Sequence, residues 1–259
     1  MTKSSIRKNH RRYGWIPDIP DRRDQLFAGI INVPMLPDKV DLRPTCPPVY
    51  DQGQLGSCTG NAIAGSIEYE QIKKKDPKPF VPSRLFIYYN ERVIENTVKQ
   101  DSGAMIRDGM KAVSTQGACN ETTWPYVISK FKTKPSTTAF KEGLKYVSKV
   151  YSRVPQDLNS LKQCLAAGDP FVFGFTVYTS FESDTVAKTG IVPMPAKNET
   201  VLGGHAVLCV GYDDSTQRFI VRNSWGPNWG MKGYFTIPYA YVTNNNLADD
   251  LWVIKDVSI

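Results

Sequence analysis

The stretch Gln52-Gly53-Gln54-Leu55-Gly56-Ser57-Cys58-Thr59-Gly60-Asn61-Ala62 is a polar, glycine-punctuated turn that runs into a helical pattern and delivers Cys58 to the first turn of that helix. Backbone N–H groups at a helix start have no intrahelical partners, and the helix dipole is positive there. A thiolate is stabilised by that field, which makes Cys58 a candidate nucleophile. The competing reading is a small buried hydrophobe, as most free cysteines are. Thiol chemistry also needs a partner that takes the proton and returns it to a leaving group, and imidazole does this best near neutrality. The chain has two histidines, and His10 sits in a basic N-terminal stretch, so His205 is nearly forced by elimination. Asn223, in Asn223-Ser224-Trp225-Gly226, can accept from one ring nitrogen and hold the imidazole in one tautomer. The Gln52 side-chain amide and the Cys58 backbone N–H are donors for a tetrahedral oxyanion.

The elements that must position these groups divide the chain. Helical spacing of apolar residues predicts a helix over about 58–75, a second over about 83–95 with Ser83 as N-cap, and a third over about 105–116 that ends at Gly117. Gly60 and Gly65 each cost the first helix about 1 kcal/mol against Ala, which implies that something approaches it closely. Residues 127–145 read as charged and irregular, followed by a possible strand at 146–150 and a short helix capped by Asp157 and closed by Gly168. From there the pattern is β: 171–178, 205–212 starting at the histidine, 218–222 and 233–237. A helical first half and a strand-rich second half with no internal repeat make an α+β chain of two lobes, and a cleft between lobes favours a site.

Composition excludes several classes. At 259 residues with 41% hydrophobic and 22% charged content the chain is ordinary for a globular protein. No apolar run approaches the roughly 20 residues that span a bilayer, so no membrane partner is expected. The net charge of +7 is concentrated at the start, where residues 1–24 hold seven Lys or Arg against three Asp. No nucleic-acid-binding motif accompanies that charge, so a solvated basic tail is the favoured reading and no nucleic-acid partner is expected. Five cysteines, an odd number without a Cys-x-x-Cys pair, argue against a disulfide scaffold and a structural zinc site, and no metal or cofactor is expected. The first twelve residues lack an apolar centre and do not read as a signal peptide, so a cytoplasmic or particle-packaged location is favoured over a lysosomal or secreted one. Residues 1–35 read as a leader lying across the body, with Trp15, Ile16 and Phe27 docked on apolar grooves, and residues 36–259 as the body itself.

These motifs resemble the papain-like cysteine peptidases. The resemblance covers about residues 36–259 and rests on Gln52-Gly53 through Gly56-Ser57-Cys58, on Gly204-His205-Ala206-Val207, and on Asn223-Ser224-Trp225-Gly226 with Trp229-Gly230. His205 follows Cys58 by 147 residues and Asn223 by 165, in the family's order. It implies a papain-like two-lobed fold, with a helical lobe over about 44–145 and an antiparallel β-barrel-like lobe over about 146–259. It implies a Cys58 thiolate paired with a His205 imidazolium, oriented by Asn223 under the shield of Trp225. Ser102 and Gly103 would line the substrate cleft, backbone groups at Gly103 and Gly204 would pair with an extended peptide, and Met105, Ile106, Gly174 and Ala206 would line an apolar pocket for the second residue before the scissile bond. The implied function is a cysteine endopeptidase acting through a Cys58 thioester on extended polypeptides. Residues 1–35 depart from the family's longer, helical prosegments, yet this aromatic-bearing, Pro-rich leader is expected to occlude the cleft of a monomeric zymogen. A catalytically silent peptide-binding protein of the same fold and a transpeptidase are the rivals.

The departures are few. Leu55 stands where most members carry a cysteine, with Asp101 near that cysteine's usual partner, so the disulfide beside the active site is absent and packing is expected to hold the turn. Thr59 replaces the usual aromatic, and Gly204 precedes the histidine where Asp or Asn is common. A Cys46–Cys119 bridge and two reduced thiols are equally open.

Overall fold

The computed structural model describes residues 13–27 and 35–257. The expected leader therefore falls partly outside the described residues. An antiparallel sheet carries the strands β1 (Lys39–Asp41), β2 (Ser148–Arg153), β3 (Phe171–Tyr178), β4 (Val201–Asp213), β5 (Arg218–Arg222), β6 (Tyr234–Pro238) and β7 (Ala248–Val257). Its order is β2-β7-β3-β4-β5-β6, with β1 paired to β4, and it does not close into a barrel as expected. The helices are α1 (Cys58–Lys73), α2 (Arg84–Ile94), α3 (Ile106–Thr115), α4 (Thr137–Gly143), α5 (Leu158–Ala166), α6 (Asp184–Thr189) and α7 (Tyr239–Val242). The architecture is α+β.

Helix α1 packs on α2, β4 and β7. Fourteen of its sixteen residues are buried, which explains why its sequence has no pronounced polar face. The expected close approach is real: a Cβ on Gly60 would stand 2.8 Å from the Arg84 carbonyl oxygen. Ser83 caps α2 by accepting from the Phe86 N–H, and Asp157 caps α5 by accepting from the Ser160 N–H, as their types predict.

Four elements escape the sequence reading, the four-residue helix α7 among them. Ser136 and Ser183 cap the short helices α4 and α6. The strand β7 pairs with both β2 and β3, and Asp249 and Asp250 interrupt the apolar alternation that would have revealed it. Between the pairs Val172–Trp252 and Gly174–Asp249 the register shifts, and Asp250 there takes a left-handed backbone conformation with φ of 58°.

Candidate active site

The nucleophile turn is stitched to the segment that follows β5. Asp51 bridges to Trp225, the Gln52 N–H donates to the Ser224 carbonyl at 2.9 Å, and the Gly226 N–H donates to the Tyr50 carbonyl at 2.9 Å. Gln52 is fully buried, and its Oε1 accepts from the Ser224 hydroxyl at 2.6 Å while Nε2 donates to the Leu55 carbonyl at 2.9 Å. That pair of bonds fixes which end of the amide is the donor.

Cys58 opens α1 behind Ser57, whose side chain does not cap the helix. The Ser57 hydroxyl instead meets the Tyr126 hydroxyl at 2.6 Å and receives Asn61 Nδ2 at 3.1 Å. The N-terminal amides of α1 are thus left for the nucleophile, and the Thr59 amide, with that of Ala206 on β4, favours its thiolate.

His205 is buried on β4, and its Nε2 lies 2.8 Å from Asn223 Oδ1. The same Oδ1 accepts the Ser224 N–H at 2.8 Å, so it is an acceptor and Nε2 must carry the proton toward it. In the neutral ring Nδ1 is then the basic nitrogen. Trp225 stacks on the imidazole with centroids 5.1 Å apart and planes 28° from parallel, and with Trp229 and Phe181 it builds an aromatic wall around the His205–Asn223 contact.

Residues 36–252 match the model of the papain family cysteine proteases. The chain belongs to that family. It is 42% identical to an uncharacterized peptidase C1-like protein of Acanthamoeba polyphaga mimivirus, over 100% of this chain and 90% of that one. It is 30% identical to a cathepsin B-like protein of Giardia intestinalis, over 81% of this chain and 71% of that one. Among solved structures it is similar to xylellain, a cysteine protease from Xylella fastidiosa, with a TM-score of 0.90 and 50% identity over 94% of this chain and 95% of that one.

In this peptidase the N-terminal segment lies along the site. The Gly14 carbonyl accepts the Ala104 N–H at 2.7 Å, the Ile16 N–H donates to the Ala104 carbonyl at 3.1 Å, and the Trp15 N–H donates to the Gly204 carbonyl at 2.9 Å. Gly14 passes so near the nucleophile turn that a Cβ on it would lie 1.8 Å from the Gly56 carbonyl oxygen. The Tyr13 ring stands edge-on to His205 at 6.1 Å, and its hydroxyl donates to Glu182.

The Trp15 indole fills the pocket formed where β3, β4 and β7 lie side by side. Register sets Gly174 opposite both Ala206 and Asp249, and a Cβ on Gly174 would lie 2.0 Å from the indole. At the pocket base Asp250, almost fully buried, accepts from the indole Nε1 at 3.0 Å and from the Asp18 N–H at 2.8 Å. Burial is the first cause that raises this carboxyl's pKa to about 7, and the neighbouring Asp18 adds to it.

Most sequence-predicted residues converge here, with corrections. Gly204, Gly174, Ala206 and Ile106 surround or share the apolar cluster of Trp15. Ala104, rather than Gly103, pairs with the extended segment. Gly103 turns its N–H inward to the Tyr88 hydroxyl at 3.1 Å, and Ser102 bonds to the Gly103 carbonyl. Met105 does not join the Trp15 cluster, and its N–H is held by Glu95 at 2.7 Å. Cys46 and Cys119 are free thiols. With the N-terminal segment seated, complete burial pushes the Cys58 thiol up to about 12, against the opposing pull of the Ala206, Gly14 and Thr59 amides. Asp250 escaped the sequence reading, since it belongs to no short motif with chemistry of its own, whereas Ala104 closes the Ser102-Gly103-Ala104 stretch read as the cleft wall.

Proposed function

We propose that the chain is a cysteine endopeptidase held silent by its own N-terminal segment. Cys58 is the nucleophile, His205 the general base and acid, Asn223 the group that orients the ring, and Gln52 with the Cys58 N–H the oxyanion donors. With the segment displaced, the Cys58 sulfur attacks the scissile carbonyl carbon and His205 Nδ1 receives the thiol proton. The tetrahedral oxyanion is held by Gln52 Nε2 and the Cys58 N–H. His205 returns the proton to the leaving amine, the C–N bond breaks and a thioester remains. Water, deprotonated by His205, then hydrolyses the thioester to a carboxylic acid and the free thiol.

The observation that carries this reading is the direction in which residues 13–16 run. A cleavable peptide must present its scissile carbonyl to the sulfur and the oxyanion donors, whereas here the Gly14 carbonyl is taken by the Ala104 N–H at 2.7 Å. The segment therefore uses the substrate's binding groups, including the pocket taken by Trp15, without offering a reactive carbon. Occupation of that pocket by an indole supports an aromatic or apolar preference at the second residue before the scissile bond.

The test compares the full chain, its Trp15→Ala variant and a chain starting at Leu36 on a fluorogenic peptide with an aromatic residue at that position. The two altered chains are expected to hydrolyse it at least about tenfold faster than the full chain, and Cys58→Ala should abolish hydrolysis in each. Equal rates in all three would end the autoinhibited reading. No hydrolysis by any of them, with the fold intact, would favour the silent peptide-binding protein.

A further inference from the structure

We propose that Asp101 and the hydroxyl of Tyr88 are a positioning pair that locks the nucleophile turn to the peptide-binding wall of the cleft; this rests on the papain-family reading of the site. The Asp101 carboxylate accepts the Gly56 N–H, with Oδ1 at 3.0 Å and Oδ2 at 3.2 Å. Its Oδ1 also accepts the Tyr88 hydroxyl at 2.7 Å. That hydroxyl in turn accepts the Gly103 N–H at 3.1 Å. One continuous chain of hydrogen bonds thus joins Gly56, two residues ahead of Cys58, to Gly103, next to the Ala104 whose N–H and carbonyl hold an extended backbone.

The pair is itself held from behind. Tyr88 is fully buried on α2 and packs in one cluster with Leu55 and Ala104, one residue from each end of the link. One turn further along α2, Arg92 covers the Tyr88 ring at 4.0 Å and donates Nε to the Tyr88 carbonyl at 3.0 Å. Its NH1 donates to the carbonyls of Val98 and Gln100 at 2.9 and 3.1 Å, and its NH2 to Phe131 at 2.6 Å. Arg92 therefore fixes the loop that presents Asp101. Packing alone was the expected support of a turn with Leu55 at its centre. A charge-assisted hydrogen bond and its buried partner add direction that packing lacks.

The consequence is catalytic geometry. Gln52 and the Cys58 N–H must meet one oxyanion while Ala104 holds the chain that bears it. A displacement of about 1 Å between turn and wall costs on the order of 10²-fold in rate. Asp101 touches neither substrate nor sulfur and acts only through Gly56 and Tyr88.

The experiment uses the full chain carrying Trp15→Ala as the reference, with Asp101→Ala, Asp101→Asn and Tyr88→Phe added singly. Asp101→Ala is expected to lower kcat by about 30-fold with less than about threefold change in KM. Asp101→Asn, which keeps an acceptor oxygen for Gly56, should recover kcat to within about fivefold of the reference. Tyr88→Phe removes only the hydroxyl and is expected to lower kcat and raise KM together, since it cuts the link to the wall. Independently of turnover, hydrogen exchange of the Gly56 amide in the otherwise unaltered full chain should speed up at least about tenfold in Asp101→Ala. Unchanged exchange at Gly56 would overturn the proposal, as would activity that falls only as far as the folded fraction by circular dichroism with no rescue by asparagine. If the Trp15→Ala reference itself hydrolyses nothing, the endopeptidase reading fails while the exchange measurement still decides the role of Asp101.

Discussion

At the residue scale, the state of Cys58 is a contest between burial and hydrogen bonding. Three amide groups favour the thiolate, yet complete burial wins and raises the thiol from 9.0 to about 12. The form with the N-terminal segment seated therefore binds a proton at Cys58 that an exposed thiol would release above about 9.0, so raising the pH weakens seating. An epoxide-type thiol reagent should alkylate Cys58 of the full chain slowly near neutrality, with the rate rising toward pH 12. Trp15→Ala should speed alkylation near neutrality by at least about tenfold and move the rise to lower pH. A pH–rate profile identical in the two chains would contradict this account. The other three cysteines with buried side chains, Cys119, Cys164 and Cys209, give an internal control, because burial raises each of them too.

At the element scale, the junction of α1 and α2 holds a buried acid. Glu91 of α2 accepts the Thr59 hydroxyl at 2.7 Å, and burial pushes its carboxyl from 4.5 up to about 8. Unfolding thus releases a proton between those values. The stability this group contributes is present below about 4.5 and is lost as pH rises through about 8. Glu91→Gln keeps the neutral shape, so its melting temperature should fall less than the parent's between about pH 5 and 9. Parallel melting curves across that range would mean that Glu91 does not titrate in the fold. Thr59, where the family usually carries an aromatic, thereby acquires a structural partner.

At the scale of the whole molecule, residues 13–27 touch both layers of the fold. Trp15 fills the pocket between strands, Arg107 of α3 pairs with Asp24 at 2.5 Å, and Phe27 joins the core beside the edge strand β2, where its N–H donates to the Arg153 carbonyl at 2.7 Å. Such a segment should act in trans. A synthetic peptide of residues 13–27 should inhibit the chain that starts at Leu36 competitively and without being cleaved. Replacing its Trp15 by alanine should weaken inhibition on the order of 10²-fold, from the apolar area and the Asp250 bond lost together. Cleavage of the peptide within residues 13–16 would refute the non-productive direction argued above.

The proposed catalytic set was readable because rare residue types sat in short local patterns: one imidazole beyond the basic tail, one cysteine at the start of a helix, one amide ahead of Ser224-Trp225-Gly226. The paired strands and capped helices that carry them followed from periodicity and side-chain chemistry, as at Ser83 and Asp157. The N-terminal segment pairs with Ala104, one position beyond Gly103, since only the three-dimensional turn decides which amide faces that segment and which faces Tyr88. Asp250 was invisible because a strand bulge, not its neighbours in sequence, aims it into the pocket. The sequence by itself determined the family and the α+β class and pointed to the proposed reacting groups, through motifs that are each only a few residues long. Tertiary structure alone decided the open sheet, the inward link through Asp101 and Tyr88, and the burial that raises the Cys58 thiol. Each depends on contacts between distant segments, and burial, which sets the charge of a thiol, exists only once those segments have met.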